Sequence, residues 1–205
     1  MMQAAQPSLI LASGSTTRQA LMTAAGLRFE IRVAPIDEAE AKRAARAEGL
    51  DADEAALMLA ELKAMRVARS NPDALVIGCD QILVCDGVWF DKPTDRDSAR
   101  AQLQTLRGRA HTLETAIICL RGSQRVWHHI AHPCLTMRNF SDAFLESYLD
   151  AEGDAVTASV GGYRLEGLGQ HLFDRIEGEH AAILGVPMLA LLSFLRQHHI
   201  LVVQT

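Results

Sequence analysis

The residues best suited to chemistry begin at Ser13-Gly14-Ser15-Thr16-Thr17-Arg18. They lie between an apolar run, Ser8 to Ala12, and a helix-like segment, Thr16 to Ala25. A helix start leaves backbone N–H groups unpaired and carries the positive end of the helix dipole. Ser13 and Ser15 hydroxyls can donate to phosphate oxygens, Gly14 admits a close backbone approach, and Arg18 adds a fork of charged donors. A plain helix cap by Ser15 or Thr16 is the competing reading. The stretch is not a P-loop, because it lacks the glycine-lysine ending of that motif.

A second candidate is Cys79-Asp80-Gln81, which the sequence places at the end of an apolar strand, Ala74 to Cys79. A carboxylate at the rim of an open α/β sheet can bind a divalent ion or take a proton from water. An aspartate that only makes a turn is the plainer alternative. Glu38, Lys63 and Lys92 each read singly as solvated surface charges, and an acid at a helix start such as Glu38 favours the dipole in any case. His128, His129 and His132 invite a metal reading, but no cysteine or acid completes a zinc-type spacing. A structural hydrogen bond is the default for His111. No G-x-S-x-G elbow supports a serine nucleophile.

These residues need a scaffold, and its elements are legible in outline. Arg28 to Ala34 alternates as a strand with Phe29, Ile31 and Val33 on one side, and Glu38 to Glu48 reads as a helix ended by Gly49. Asp53 is placed to cap a longer helix to about Arg69, with Met58, Leu59, Leu62 and Met65 as its apolar stripe. Asp86-Gly87 marks a hairpin between Ile82–Cys85 and Val88–Phe90. Thr94 with Asp97 suggests a capped helix carrying Ala99, Leu103 and Leu106. Two long strands follow, Ala110 to Leu120 and Arg125 to Thr136, then a helix capped by Ser141. A glycine-rich stretch runs from Val160 to Gly169; Pro187 starts a last helix, and Ile200 to Val203 can add a strand. The class is α/β, with an elongated, twisted mixed sheet flanked by helices.

Composition narrows the function. The 205 residues are 49 % apolar and carry 25 acids against 20 bases, a net charge of −5. A polybasic nucleic-acid or membrane-surface protein is excluded on that balance, and 5 % aromatic residues make a base-stacking platform a poor expectation. Cys79, Cys85, Cys119 and Cys134 have no metal or C-x-x-C spacing and read as reduced thiols of a cytoplasmic protein. The first residues lack a basic region ahead of an apolar run, and no stretch reaches membrane-span length.

Taken in order, the segments resemble the Maf family of nucleoside triphosphate pyrophosphatases. Leu9 to Arg18 resembles the family's L-I-L-A-S-x-S-P-R-R, Ile36-Asp37-Glu38 its V-D-E, and Leu59 to Ala64 its L-A-x-x-K-A. Val76 to Gln81 resembles I-G-x-D-[TQ], Asp91-Lys92-Pro93 the G-K-P step, and Gly108 to His111 the G-x-x-H step. Gly161-Gly162-Tyr163, Glu166-Gly167, Ile176 to Glu179 and Gly185 to Met188 resemble the late blocks. Thr16-Thr17 and Ser159-Val160 depart from the family pattern.

The resemblance implies a Maf/ITPase-like fold, with two lobes and a cleft, acting as a single catalytic domain over residues 1–205. It implies hydrolysis of the α–β phosphoanhydride of a nucleoside triphosphate, to monophosphate and pyrophosphate. It implies a divalent cation, magnesium or manganese, often a homodimer, and no nucleic-acid or membrane partner. By position, Asp80 matches the proton acceptor. Ser13, Ser15, Arg18, Lys63 and Lys92 match substrate-binding groups, and Glu38 a metal ligand. Thr17, Gln81 and Glu166 match positions that track base choice. Gln81 with Glu166 resembles the branch acting on 7-methyl-GTP. The alternatives are a dTTP/UTP pyrophosphatase and a non-catalytic nucleotide-binding regulator of cell division.

Overall fold

A computed structural model describes residues 3–33 and 35–202. The first half of the chain forms β1 (Leu9–Leu11), α1 (Thr16–Ala24), β2 (Glu30–Ile31), α2 (Glu38–Ala47), α3 (Ala52–Ala68), β3 (Leu75–Cys85), β4 (Val88–Phe90) and α4 (Arg96–Leu106). The second half forms β5 (Ala110–Arg121), β6 (Gln124–Ala131), β7 (Cys134–Met137), α5 (Asp142–Glu152), β8 (Phe173–Glu177), α6 (His180–Ile183) and α7 (Met188–Gln197). Short 3₁₀ turns fill the glycine-rich stretch between α5 and β8. Among the described residues the fold is a mixed eight-stranded sheet with seven α-helices. Its strand order is β2-β1-β3-β5-β7-β8, with β4 paired to β3 and β6 to β5.

The chain divides into two compact units. The first comprises Met1–Gln81, Thr115–Ala131 and Glu179–Thr205. Here β1 pairs parallel to β3, Leu9 with Leu75 through Leu11 with Ile77. Its core joins Leu9, Leu11 and Ile77 to Met22 of α1, Ile117 of β5 and Leu191, Phe194 and Leu195 of α7. The second unit comprises Ile82–Glu114 and His132–Gly178. Its buried residues include Leu103 and Leu106 of α4, Leu135 of β7, and Leu145 and Leu149 of α5.

Several local expectations shift. α3 is capped by Asp51, not Asp53, through a capping box with Glu54. Its buried face is Ala55, Ala56, Leu59, Ala60, Ala64, Val67 and Ala68, while Leu62 of the expected stripe is exposed. Small residues win because α3 lies almost against β3: a Cβ on Gly78 would sit 2.2 Å from the Ala60 carbonyl oxygen. The α4 cap is Asp95, one residue after the expected Thr94, with Ser98 closing its box. β2 keeps only two residues of the expected strand, and Ile31 and Val33 are exposed. Ala34 at that strand's end, and Val203 at the end of the expected last strand, lie outside the described residues. The strand expected from Arg125 to Thr136 is two strands, β6 and β7, separated by His132-Pro133. β8 has no counterpart in the sequence pattern, because most of its residues are exposed and show no apolar alternation.

In the second unit His111 is 2 % exposed. Its Nε2 pairs with the Tyr163 hydroxyl at 2.8 Å, and among the described residues its Nδ1 has no hydrogen-bond partner. Burial lowers its pKa from 6.5 to about 4.

This packing makes two outcomes testable. Gly78→Ala should lower the unfolding free energy by about 2 kcal/mol or more, by the usual cost of overpacking. Wild-type stability in denaturant titration would contradict the close approach of α3. As pH falls from 6.5 to 4 the unfolded chain protonates His111 while the folded chain does not, so stability is lost across that window. His111→Gln should remove this part of the loss; parallel stability–pH curves for the two proteins would refute it.

Candidate functional site

The first unit gathers most of the residues singled out by sequence. β1 delivers the chain to Ser13, which is buried, and Ser15 then caps α1 by accepting from Arg18 N at 3.3 Å. Capping does not compete with ligand binding, since the serine oxygen accepts while its O–H remains a donor. The Ser13 oxygen accepts from Ser15 N at 3.3 Å and from Arg18 Nη1 at 3.4 Å. Gly14 has ordinary room for a Cβ, 3.5 Å from Val33, so packing within the protein does not demand glycine there. Thr17 is the second residue of α1 and half-buried.

Arg18 ties this loop to β3 and to the turn after α6. Its Nη1 donates to the Cys79 carbonyl at 2.9 Å and its Nε to the Gly185 carbonyl at 3.1 Å. Among the described residues none accepts from Nη2. The outer end of the guanidinium therefore keeps its charge-assisted donors for a ligand.

Asp80 is not at a strand end. It lies inside β3, an uninterrupted eleven-residue strand, and is 4 % exposed. A buried carboxylate needs a partner, and Lys63 of α3 supplies it: Nζ lies 2.5 Å from Asp80 Oδ1 and 3.0 Å from Glu38 Oε1. The Lys63 side chain is 12 % exposed, that of Glu38 51 %. Asp37 takes the cap of α2 by accepting from Glu40 N, so capping does not require Glu38, the first residue of that helix. One ammonium thus serves two carboxylates. It is hydrogen-bonded to Asp80 and ion-paired with Glu38. The two acids form a hard-oxygen donor set, which suits a magnesium-type cation bound through few carboxylates and completed by phosphate.

Gln81 is half-buried and its amide is oriented by three acceptors. Nε2 donates to Thr115 Oγ1 at 2.7 Å, and to the carbonyls of Ala182 and Ile183 at 3.2 and 3.1 Å. Backbone carbonyls only accept, so the nitrogen must face them and Oε1 is the end left for a ligand. Sequence reasoning misses Thr115, Ala182, Ile183 and Gly185 as parts of the site. Thr115 gives a faint signal, a hydroxyl at the start of the apolar run Ala116 to Leu120, and is fully buried; backbone carbonyls give none. Cys79 beside Asp80 is no nucleophile, because burial pushes its thiol up to about 11.

Lys92 and Glu166 belong to the second unit. Lys92 is exposed in the segment between β4 and α4. Glu166 is exposed on a pinned turn. The buried Glu152 carboxylate accepts there from Leu168 N at 3.1 Å and from Arg164 Nη2 at 2.8 Å, and Gln170 Nε2 donates to the Leu165 carbonyl. His128 and His129 are exposed on β6, with the His129 ring stacked on Trp127. His132 Nε2 lies 3.4 Å from Glu114 Oε2. The three histidines do not converge as one ligand set.

Comparison with known proteins bears on this arrangement. The sequence model of the family described as Maf-like protein matches residues 8–198. A nucleoside triphosphate pyrophosphatase of Granulibacter bethesdensis is 54 % identical over 195 residues, covering 95 % of this chain and 99 % of the relative. One from Rhodospirillum rubrum is 50 % identical over 200 residues, covering 98 % and 99 %. A protein of Rhizobium meliloti named 7-methyl-GTP pyrophosphatase is 46 % identical over 192 residues, covering 94 % and 96 %. With a matching family model over most of its length and relatives at this identity, the chain belongs to the Maf family and is an enzyme of the nucleoside triphosphate pyrophosphatase type.

Proposed function

We propose that this enzyme hydrolyses 7-methyl-GTP between its α and β phosphorus atoms, releasing 7-methyl-GMP and pyrophosphate, with Asp80 as general base. The observation that carries the reading is the single ammonium of Lys63 shared by Asp80 and Glu38, next to the carbonyl that holds Arg18. A triphosphate needs concentrated positive charge and a water needs an acceptor for its proton, and this group of side chains supplies both.

In the proposed step the water oxygen attacks the α phosphorus and its proton passes to the Asp80 carboxylate. The bond to the α–β bridging oxygen breaks, and pyrophosphate leaves with the electron pair. Arg18 Nη2, the Lys63 ammonium and the Ser13 and Ser15 hydroxyls would donate to phosphate oxygens as charge moves onto them. For Lys92 the same role rests on the family block alone. A bound magnesium or manganese ion supplies further neutralisation of phosphate charge, and Glu38 would hold it.

Base choice rests on Gln81 and Glu166. With its nitrogen committed to protein acceptors, Gln81 offers an acceptor, and Glu166 is a carboxylate. A guanine edge presents adjacent N1–H and N2–H₂ donors, whereas uracil and thymine present one N–H between two carbonyls. Acceptors favour the guanine edge. The name of the Rhizobium meliloti relative agrees with this choice. Thr17 stands at the third position tied to base choice. We further take residues 1–205 as one catalytic domain, since the family model spans both units. We place the enzyme in the cytoplasm, where free thiols such as its four cysteines persist, and expect a homodimer without nucleic-acid or membrane partners. Among the described residues no helix is long and apolar enough to cross a membrane.

Asp80→Asn should reduce pyrophosphate release by roughly 10²-fold or more with magnesium present, the usual scale for losing a general base. Undiminished turnover would sink the role of Asp80. In a nucleotide panel, 7-methyl-GTP should be used better than dTTP or UTP, and Glu166→Gln should narrow that preference. Activity on dTTP equal to or above that on 7-methyl-GTP would overturn the base assignment.

A further inference from the structure

We infer that the turn from Ala182 to Gly185 is the positioning device of this site, and that Gly185 is a positioning residue for Arg18. The inference rests on the reading of Arg18 as a phosphate-binding group.

α6 is four residues long, and like any helix it ends with carbonyls that lack helical partners. Gly185 N donates to the Ala182 carbonyl and Val186 N to the Ala181 carbonyl, both at 2.9 Å, which is a Schellman closure. Site side chains bond to carbonyls of this turn, that of Ala182 in addition to its bond from Gly185 N. Gln81 Nε2 donates to those of Ala182 and Ile183, and Arg18 Nε to that of Gly185. One backbone turn therefore orients both the amide proposed to read the base and the guanidinium proposed to bind phosphate.

Gly185 is required twice over. Its φ of +98° is unfavourable for any side chain. A Cβ there would also lie 2.8 Å from Arg18 Nε and 3.3 Å from Nη2. The nearest obstacle is thus the guanidinium itself. A methyl group would displace Arg18 from the Gly185 carbonyl and move the Nη2 donors that face a ligand. Gly49 offers the contrast. Its φ is +76° and a Cβ on it would meet nothing within 4 Å, so an alanine there carries backbone strain without a clash.

The test combines Gly185→Ala with Arg18→Ala, using Gly49→Ala as the strain control. Turnover is measured on whichever panel nucleotide is used best, and binding on its α,β-methylene analogue, which cannot be cleaved at that bond. Gly185→Ala should lower kcat/KM by about 10²-fold, and at least about tenfold, the scale expected when a charged group is misplaced by an ångström. Analogue binding should weaken with it, and Gly49→Ala should leave both unchanged. With Arg18→Ala already present, Gly185→Ala should change analogue binding less than about twofold, because coupled residues are not additive. Equal losses in both backgrounds would overturn the inference. Full activity of Arg18→Ala would instead overturn the phosphate-binding reading beneath it. The wild-type protein gives a separate readout: its Arg18 Nε–H should exchange slowly with water by nitrogen-15 NMR without nucleotide. Rapid exchange would refute the hold on Arg18, even if Gly185→Ala fails to fold.

Discussion

A carboxylate in the middle of a buried strand has to be neutralised, and the first unit is arranged around that need. Asp80 lies in β3 between Cys79 and Gln81, and its charge is tolerated because Lys63 lies 2.5 Å away. Lys63 reaches it because α3 lies so close to β3. Ala60, one turn before Lys63, abuts Gly78, two residues before Asp80, and Ala64 fills the space beside it. Larger residues at these positions would push the helix outward and stretch the ion pair. The glycine and alanines are therefore part of the electrostatics as well as of the packing.

The same ammonium links the buried acid to a solvent-facing one. Glu38 opens α2 and meets Lys63 at 3.0 Å while its side chain remains half exposed. A charge gradient results, running from an enclosed carboxylate through a shared cation to an accessible carboxylate. Arg18 meets the same stretch of β3 by way of the Cys79 carbonyl. Charges that are far apart in sequence thus converge within a chain whose net charge is negative.

Side-chain type and local pattern make much of this legible. The hydroxyl loop before α1, the acid that follows an apolar run and the lysine on the long helix are each visible as isolated candidates. The turn residues Gly26, Gly49, Asp86-Gly87 and Gly108 adopt the positive φ angles that their positions imply. What local pattern misses depends on contacts distant in sequence. It ends a strand at Cys79 because Gly78, Asp80 and Gln81 interrupt an apolar run, yet these are the positions where helix packing, charge pairing and amide anchoring occur. It assigns the apolar stripe of α3 to the larger side chains, whereas proximity to Gly78 selects the alanines. The carbonyls that anchor Gln81 and Arg18 come from 61 to 167 residues away, and a backbone carbonyl leaves no mark on residue type.

Cys79 adds a chemical consequence. Oxidants such as peroxide react with thiolates that they can reach, and climb from sulfenic to sulfonic acid only from there. This sulfur is fully enclosed and its thiol is held in the protonated form far above neutral pH. It adjoins the proposed base yet offers oxidants neither charge nor access. A site whose adjoining thiol is sealed in this way should tolerate oxidative stress that silences enzymes with an exposed active-site thiol.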